Sequence, residues 1–536
     1  MKPFFLFFFL IFFIISVSAF AQETEIESDS TVVNEETEVT ELYENLYDDE
    51  SVFVINSFKY NVKGITLPFM LNTKTELKAG EEIKGKKNLE AFIQDKKQLL
   101  INERVLSDDV VIEYSIGEKD EEDKFPVDLA IFVEDTWNII ALPYPKYDSN
   151  YGFELTIKAR DYNFFGTMNP LRVDLGYKYN QEGRSFFNLM VDSGIPFEAF
   201  GLKWHFDFDN YLDYRPDVEL PWYYKNRTAI SVDIPIKRTT LNLWFSESFI
   251  VNEENSEKDK LLYGQRFQEG LYMSSNPNIT WKIPTGLEVG NYGELTYTPS
   301  IYAVFNHEFP DWPLQENRKG TYFYFTHNLY FGRIDWKGNF REGISLRLDN
   351  SFSFSVYNFE NKTDDPWGYS YSARAIGHFI FIEDRLGLSS RLYLRHWIND
   401  YSEYAGNTLR GVYDRVRYEN LYPELMFSVN LDLQFRILRL LPSTWFPGSD
   451  FWRIFDLDLH INPIIDFAWF KPYKIEPSFS ADFFLLGAGI DTIIFPHRFR
   501  SLYFRISTAW NLSNISKKAP DIIKDLELLL EMGFHY

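Results

Sequence analysis

Residues able to do chemistry are plentiful in this 536-residue chain, but their spacing does not assemble a reaction. Eight histidines are scattered, and none stands at metal-ligand spacing from another. There is no H-E-x-x-H pair to hold zinc, no G-x-S-x-G nucleophile turn and no Walker A loop to cradle phosphate. Cysteine is absent, which removes disulfides, thiolate metal sites, thiol nucleophiles and a lipidated N-terminal cysteine. Carboxylates abound (78 acidic against 54 basic residues, net charge −24), yet acidic loops are ordinary on exposed surfaces. A Ser–His pair brought together across neighbouring strands would leave no linear motif, but His460 and His497 read as polar lumen or turn residues. The expectation is a protein that is not an enzyme and has no cofactor and no metal. The acidic balance also argues against nucleic acid as a partner.

What positions these residues is legible in the composition. Aromatic residues make up 18% of the chain, while the mean hydropathy is only −0.28. A bundle of membrane helices would not average hydrophilic, and a disordered acidic chain would lack aromatics. Met1-Lys2, an apolar run over 4–17 and Ala19-Phe20-Ala21 form the pattern of a secretory signal peptide over 1–21. Residues 22–50 hold twelve acidic side chains and no basic one, half of the net charge, and read as a disordered linker.

Residues 51–136 read as a small α+β domain with the order strand, helix, strand, strand. The helix is carried by Leu89, Phe92, Ile93, Lys96, Leu99 and Leu100 near the 3.6-residue period. A strand over 110–116 and another over 127–134 flank the charged hairpin 118–124. From 137 to 536 the dominant signal is two-residue alternation in segments of roughly ten residues, the pattern of an all-β transmembrane barrel. Phe427, Val429, Leu431, Leu433, Phe435 and Ile437 share one face of such a segment, with Ser428, Asn430, Asp432, Gln434 and Arg436 on the other. After 454, Asp456, Asp458, His460, Asn462 and Asp466 lie opposite an apolar set and so face inward. Eighteen strand candidates can be counted, but a hairpin more or less preserves parity, leaving 16 or 18. Residues 212–227 and 251–267 read as long polar loops.

Several segments, in order, resemble the BamA/TamA superfamily of outer-membrane assembly factors. Lys59–Glu134 looks like one POTRA module. Asp161-Tyr162-Asn163-Phe164-Phe165-Gly166-Thr167 resembles the N-L-F-G-T signature at the barrel start. Leu409-Arg410-Gly411-Val412 resembles the V-R-G-F/Y motif of the sixth extracellular loop, with Leu for Val and Val for the terminal aromatic. Ile464-Ile465-Asp466-Phe467-Ala468 resembles F-x-D-x-G without its Gly. Gly487-Ala488-Gly489-Ile490-Asp491 and Phe504-Arg505-Ile506 resemble the segments before the last strand, and Phe534 and Tyr536 a C-terminal barrel signal.

The resemblance implies a barrel of 16 antiparallel strands, possibly 18, preceded by one periplasmic POTRA-like α+β domain. It implies that Arg410 folds into the lumen to meet Asp466, where a charge is tolerated only if solvated or paired. The implied role is insertion or translocation of unfolded outer-membrane or secreted proteins, received on the POTRA-like domain. Outer-membrane lipid and accessory periplasmic proteins would be the other partners. The alternative is a secretion pore or passive channel on the same fold, motivated by the single module and the altered loop motif. Pro143 and Pro145 fall in the first barrel strand and would weaken its pairing with the last, around 526–536.

Overall fold

The computed structural model describes residues 49–148, 152–179, 185–216, 220–252, 269–314, 319–362, 365–398, 409–412, 423–447, 450–473, 483–500, 502–513 and 526–534. The signal segment 1–21, the acidic segment up to residue 48, most of the expected loop 251–267 and Tyr536 lie outside the described residues.

The N-terminal unit contains β1 (Val52–Lys63), α1 (Pro68–Thr75), β2 (Glu82–Lys84), α2 (Lys86–Ile101), β3 (Val111–Ile116) and β4 (Lys124–Glu134). Its sheet runs β2-β1-β4-β3, with β1 and β4 parallel and the outer pairs antiparallel. Sequence reading missed α1 and β2. α1 is only eight residues long and opens at Pro68, and β2 has three residues, so neither is long enough to display a period. In α2, Leu89, Ile93 and Leu100 are buried on one side, against Phe53, Ile55, Val127, Leu129 and Ile131 of the sheet. The same apolar cluster continues into the barrel through Ile140, Tyr162 and Met168.

The barrel strands are β5 (Ile139–Asp148), β6 (Gly152–Asp161), β7 (Leu171–Tyr179), β8 (Ser185–Ala199), β9 (Leu202–Tyr214), β10 (Trp222–Ile236), β11 (Thr239–Val251), β12 (Leu271–Glu288) and β13 (Glu294–Glu308). They continue with β14 (Thr321–Lys337), β15 (Phe340–Ser355), β16 (Trp367–Ile382), β17 (Leu386–Ile398), β18 (Pro423–Leu440), β19 (Leu457–Pro472), β20 (Phe484–Pro496), β21 (Leu502–Asn511) and β22 (Leu526–Phe534). These 18 antiparallel strands close into one barrel in which β22 lies against β5. Of the two expected counts, 16 and 18, the barrel has 18. The expected loop 212–227 is also shorter than read, because β9 runs to Tyr214 and β10 starts at Trp222. Its Tyr and Trp residues pair across the ladder, whereas the sequence had suggested a polar loop. Within the described residues no helix is long and apolar enough to cross a membrane.

Prolines decide where the ladder is weak. A strand residue in an antiparallel sheet aims its N–H at one neighbour only, and proline has none to give. Pro143 and Pro145 pair with Ile157 and Leu155 of β6. They must therefore occupy the non-hydrogen-bonded positions of that ladder, so both ring nitrogens face β22. The same rule explains the other gaps. Pro277 pairs with Phe245 on one side, Pro299 with His327, and Pro463 with Ile490, and the register on the opposite side omits each of them. The β5–β22 seam thus has two donor gaps, two residues apart, inside a ten-residue strand.

In the β12–β13 ladder Pro277 and Pro299 leave the carbonyls of Ala303 and Trp281 without a ladder donor, while the amides of those two residues still face the proline carbonyls. Pro277→Val should supply one missing donor and raise the denaturant midpoint of barrel unfolding by the equivalent of about 1 kcal/mol. An unchanged midpoint would show that the gap costs nothing in the folded ladder.

Candidate functional site

Two sets of residues singled out by sequence form built sites, one inside the barrel and one beneath it. Connections from odd to even strands leave one end of the barrel, and those from even to odd strands the other. Residues 409–412 belong to the first end, between β17 and β18, and are buried inside the wall. Leu409 and Val412 sit in an apolar pocket made by Tyr393, Trp397, Met426, Ala468, Phe470 and Leu485. The two departures from the family motif are therefore apolar anchors, not lost contacts.

Between those anchors Arg410 is buried and surrounded by carboxylates. Its backbone N–H donates to Asp466 Oδ2 at 2.7 Å, Nε to the same oxygen at 2.8 Å and Nη2 to Asp466 Oδ1 at 2.6 Å. Nη1 reaches Asp491 Oδ2 at 3.0 Å and lies 2.5 Å from Asp432 Oδ1. Asp432, Asp466 and Asp491 come from β18, β19 and β20 in turn. The next residue carries the contact onward: Gly411 N–H donates to Glu527 Oε2 of β22 at 3.1 Å. Arg505 of β21 pairs with Glu531 of β22 and lies 3.9 Å from Asp491. Four loop residues thus engage the wall from β17 to β22, ending on the seam strand. Gly487 makes room for this, since a Cβ there would stand 1.9 Å from the carbonyl oxygen of Arg410.

The sequence paired Arg410 with Asp466 only; Asp432 stood on a polar strand face and Asp491 in a motif-like segment without being assigned to the cation, and Glu527 was not singled out. Inward parity could have flagged all three, but alternation does not say which inward carboxylates converge on one cation. The arrangement is a structural clamp. It offers no nucleophile paired with a base, because every carboxylate is committed to an arginine or a backbone N–H. Of the histidines, His460 is buried with ring centroids 4.9 Å from Phe340 and 4.7 Å from Phe495. His497 Nε2 stands 3.2 Å from Asp458 at the β20–β21 connection.

The second set, Asn163 to Thr167, lies at the opposite end, in the β6–β7 connection, and joins the N-terminal unit to the barrel. Asn163 Nδ2 donates to Thr66 Oγ1 at 2.6 Å and to Asp135 Oδ2 at 3.0 Å. Asp135 also accepts from Ile65 N, Thr66 N and Thr66 Oγ1 at 2.8, 3.1 and 2.6 Å. Gly166 accepts from Leu67 N at 2.9 Å. It has φ +72, and a Cβ would lie 2.0 Å from the Ile65 carbonyl oxygen. Phe164 and Phe165 pair with ring centroids 4.2 Å apart, Phe165 largely exposed, and Thr167 Oγ1 caps the turn on Phe164 O at 2.6 Å. Phe534, in the expected C-terminal signal, pairs with Leu502 of β21.

Three further connections on this end grip the N-terminal unit, and no sequence signal had marked them. Arg104 donates through Nε to the Arg500 carbonyl at 2.8 Å and through Nη1 to the Gly338 carbonyl at 3.0 Å. Arg500 returns the contact, donating through Nη1 to Leu106 O at 2.6 Å and pairing with Asp108. Arg333 pairs with Asp95, and Asn102 donates to Asp335 Oδ1 at 2.8 Å. Lys203 donates to Thr73 Oγ1 at 3.2 Å. The β6–β7 and β14–β15 connections are nearly opposite on the 18-strand ring, so the unit lies across this mouth of the barrel.

No family model matches the chain, and no curated protein matches it. Among solved structures it is similar to CdiB from Escherichia coli, at 12% identity over 90% of this chain and 76% of that one, with TM-score 0.48. CdiB from Acinetobacter baumannii matches at 13% identity over 90% and 74%, with TM-score 0.44. A crystal structure of BamA from Haemophilus ducreyi lacking POTRA domains 1-3 matches at 10% identity over 90% and 84%, with TM-score 0.35. At these identities and scores the class of protein rests on the strand pairing itself: an antiparallel 18-stranded barrel of outer-membrane type with a small α+β unit at one mouth.

Arg410→Ala would leave Asp466 and Asp491 buried without their cation, at an expected loss of about 3–5 kcal/mol. A denaturant midpoint for barrel unfolding measures this. A charge swap, Arg410→Asp with Asp466→Arg, should not restore it, because Asp432 and Asp491 would then face a carboxylate. At the other site, Asn163→Ala should expose 65–67 to proteolysis while the barrel stays folded; unchanged cleavage would refute its role as the joint.

Proposed function

We propose that this chain belongs to the BamA/TamA superfamily and inserts or translocates proteins at the bacterial outer membrane, with the N-terminal unit as a periplasmic POTRA-like module. The observation that carries the reading is the seam. β5 presents two proline nitrogens to β22, and the only loop clamp in the described residues reaches across to β22. A barrel wall that lacks donors at one junction needs less free energy to part there, which suits lateral passage of a strand into lipid. The α+β unit supplies the other element. β3 is an edge strand whose outer side pairs with no strand among the described residues, with Val111 and Tyr114 exposed on it. An extended client could add to that edge through main-chain hydrogen bonds.

A second reading, a secretion pore or passive channel, is favoured by one observation. The N-terminal unit is fastened to connections on nearly opposite sides of the mouth, and a unit so held directs a client to the lumen. The experiment that separates the readings restores the donors. Pro143→Val with Pro145→Val adds two hydrogen bonds at the seam, each worth about 1 kcal/mol net. The open seam population should then fall roughly 30-fold, and insertion of a barrel client into liposomes by the purified protein should slow accordingly. If insertion is unchanged while the barrel becomes more stable, seam opening is not the mechanism. Loss of insertion activity in the starting protein, with conductance present, would favour the pore.

A further inference from the structure

The connections on the mouth that carries the N-terminal unit are short. Those after β8, β10, β12, β14, β16 and β20 leave two to five residues between strands. The β18–β19 connection, residues 441–456, is an exception with sixteen residues. It contains a one-turn helix (Pro442–Trp445) and a 3-10 turn (Asp450–Phe455). It is also aromatic: Trp445, Phe446, Phe451, Trp452 and Phe455.

These rings are organised as a slab. Phe446 stacks on Trp452 with centroids 4.4 Å apart, and Phe451 and Phe455 close on the same ring at 5.6 and 5.9 Å. Buried Asp456 fixes the fold of the segment by accepting from Ser443 N at 3.0 Å and Ser443 Oγ at 2.6 Å. His497 N donates to the Asp456 carbonyl at 2.8 Å, tying the segment to the next connection. Despite this order the outer rings are open: Trp445 is 62% exposed, Phe446 48% and Phe451 47%. The segment follows directly on the end of β18, where Phe435, Ile437 and Leu438 are exposed as well. That row belongs to the lipid-facing wall of the barrel.

We propose that the ordered residues 441–447 and 450–456 form a foot that lies in the phospholipid leaflet at this mouth, and that phospholipid at the level of its headgroups and upper acyl chains is its partner. An ordered aromatic patch extending a hydrocarbon-facing wall is stable against lipid and unfavourable against water. Tryptophan, with an apolar ring and one N–H, suits the boundary between acyl chains and headgroups. The foot hangs from β18 and β19, the strands that carry Asp432 and Asp466. It therefore sets the depth of the wall on which the loop clamp closes.

The cysteine-free chain allows a direct test. Trp445→Cys, labelled with an environment-sensitive fluorophore, is compared with Lys237→Cys in the short β10–β11 turn, both in vesicles of phosphatidylethanolamine and phosphatidylglycerol. Trp445 lies outside the Phe446–Trp452 stack, so the variant keeps the slab, and Phe451→Cys provides a second position. Brominated acyl chains should quench the label at 445 and 451 at least twofold more than at 237, and aqueous iodide should show the reverse order. Equal iodide access at all three positions would overturn the proposal. So would protection that appears only when a soluble periplasmic protein fraction is added, since that would assign the patch to a protein partner.

Discussion

The guanidinium of Arg410 is the interaction on which the upper half of this barrel depends. A planar cation with five donors can meet several carboxylates at once, and here it meets three from consecutive strands. Each of those carboxylates would be costly to bury alone, and each is held by the same partner. The clamp is therefore cooperative: strands β18 to β20 share one counter-ion, and Gly411 extends the tie to β22. The apolar anchors on either side, Leu409 and Val412, keep the guanidinium from returning to water.

The opposite mouth follows different physics. There the contacts are mostly neutral or charge-to-carbonyl, spread over several connections rather than concentrated on one cation. Asp135 is the centre of the joint, accepting four hydrogen bonds from Ile65, Thr66 and Asn163 while Gly166 lets two backbones come together. The family-like turn 163–167 is thus explained by its packing against 65–67 and owes nothing to the lumen.

Alternation made the barrel legible in the sequence because it needs only local order: the run 427–437 declares its two faces without knowing its neighbours. The inward set 456–466 was legible for the same reason. Strand number was less so, since β12 and β13 contain Pro277, Pro284 and Pro299, which blur the two-residue period there. Short elements escaped altogether, as α1 and β2 show. Of the clamp, the Arg410–Asp466 pair came from resemblance, while the convergence of Asp432, Asp491 and Glu527 on it did not: a cation's full coordination is a property of closure, which no local pattern encodes. Arg104 and Arg500 were invisible for the same cause, being separated by nearly four hundred residues and bonding to carbonyls, which carry no residue identity.

That last pair has a consequence for how the molecule is made. Arg104 holds carbonyls at 338 and 500, and Arg500 holds one at 106. The first of these contacts needs the β14–β15 hairpin, and the two that involve residue 500 need the β20–β21 hairpin, which is followed by a single strand. Closing loops of such length has a large entropic penalty and comes late. Full seating of the N-terminal unit thus reports on the finished ring: a chain stalled before the β20–β21 hairpin keeps the contacts at 163–166, 203 and 333–338 but lacks the reciprocal grip between 104–108 and Arg500.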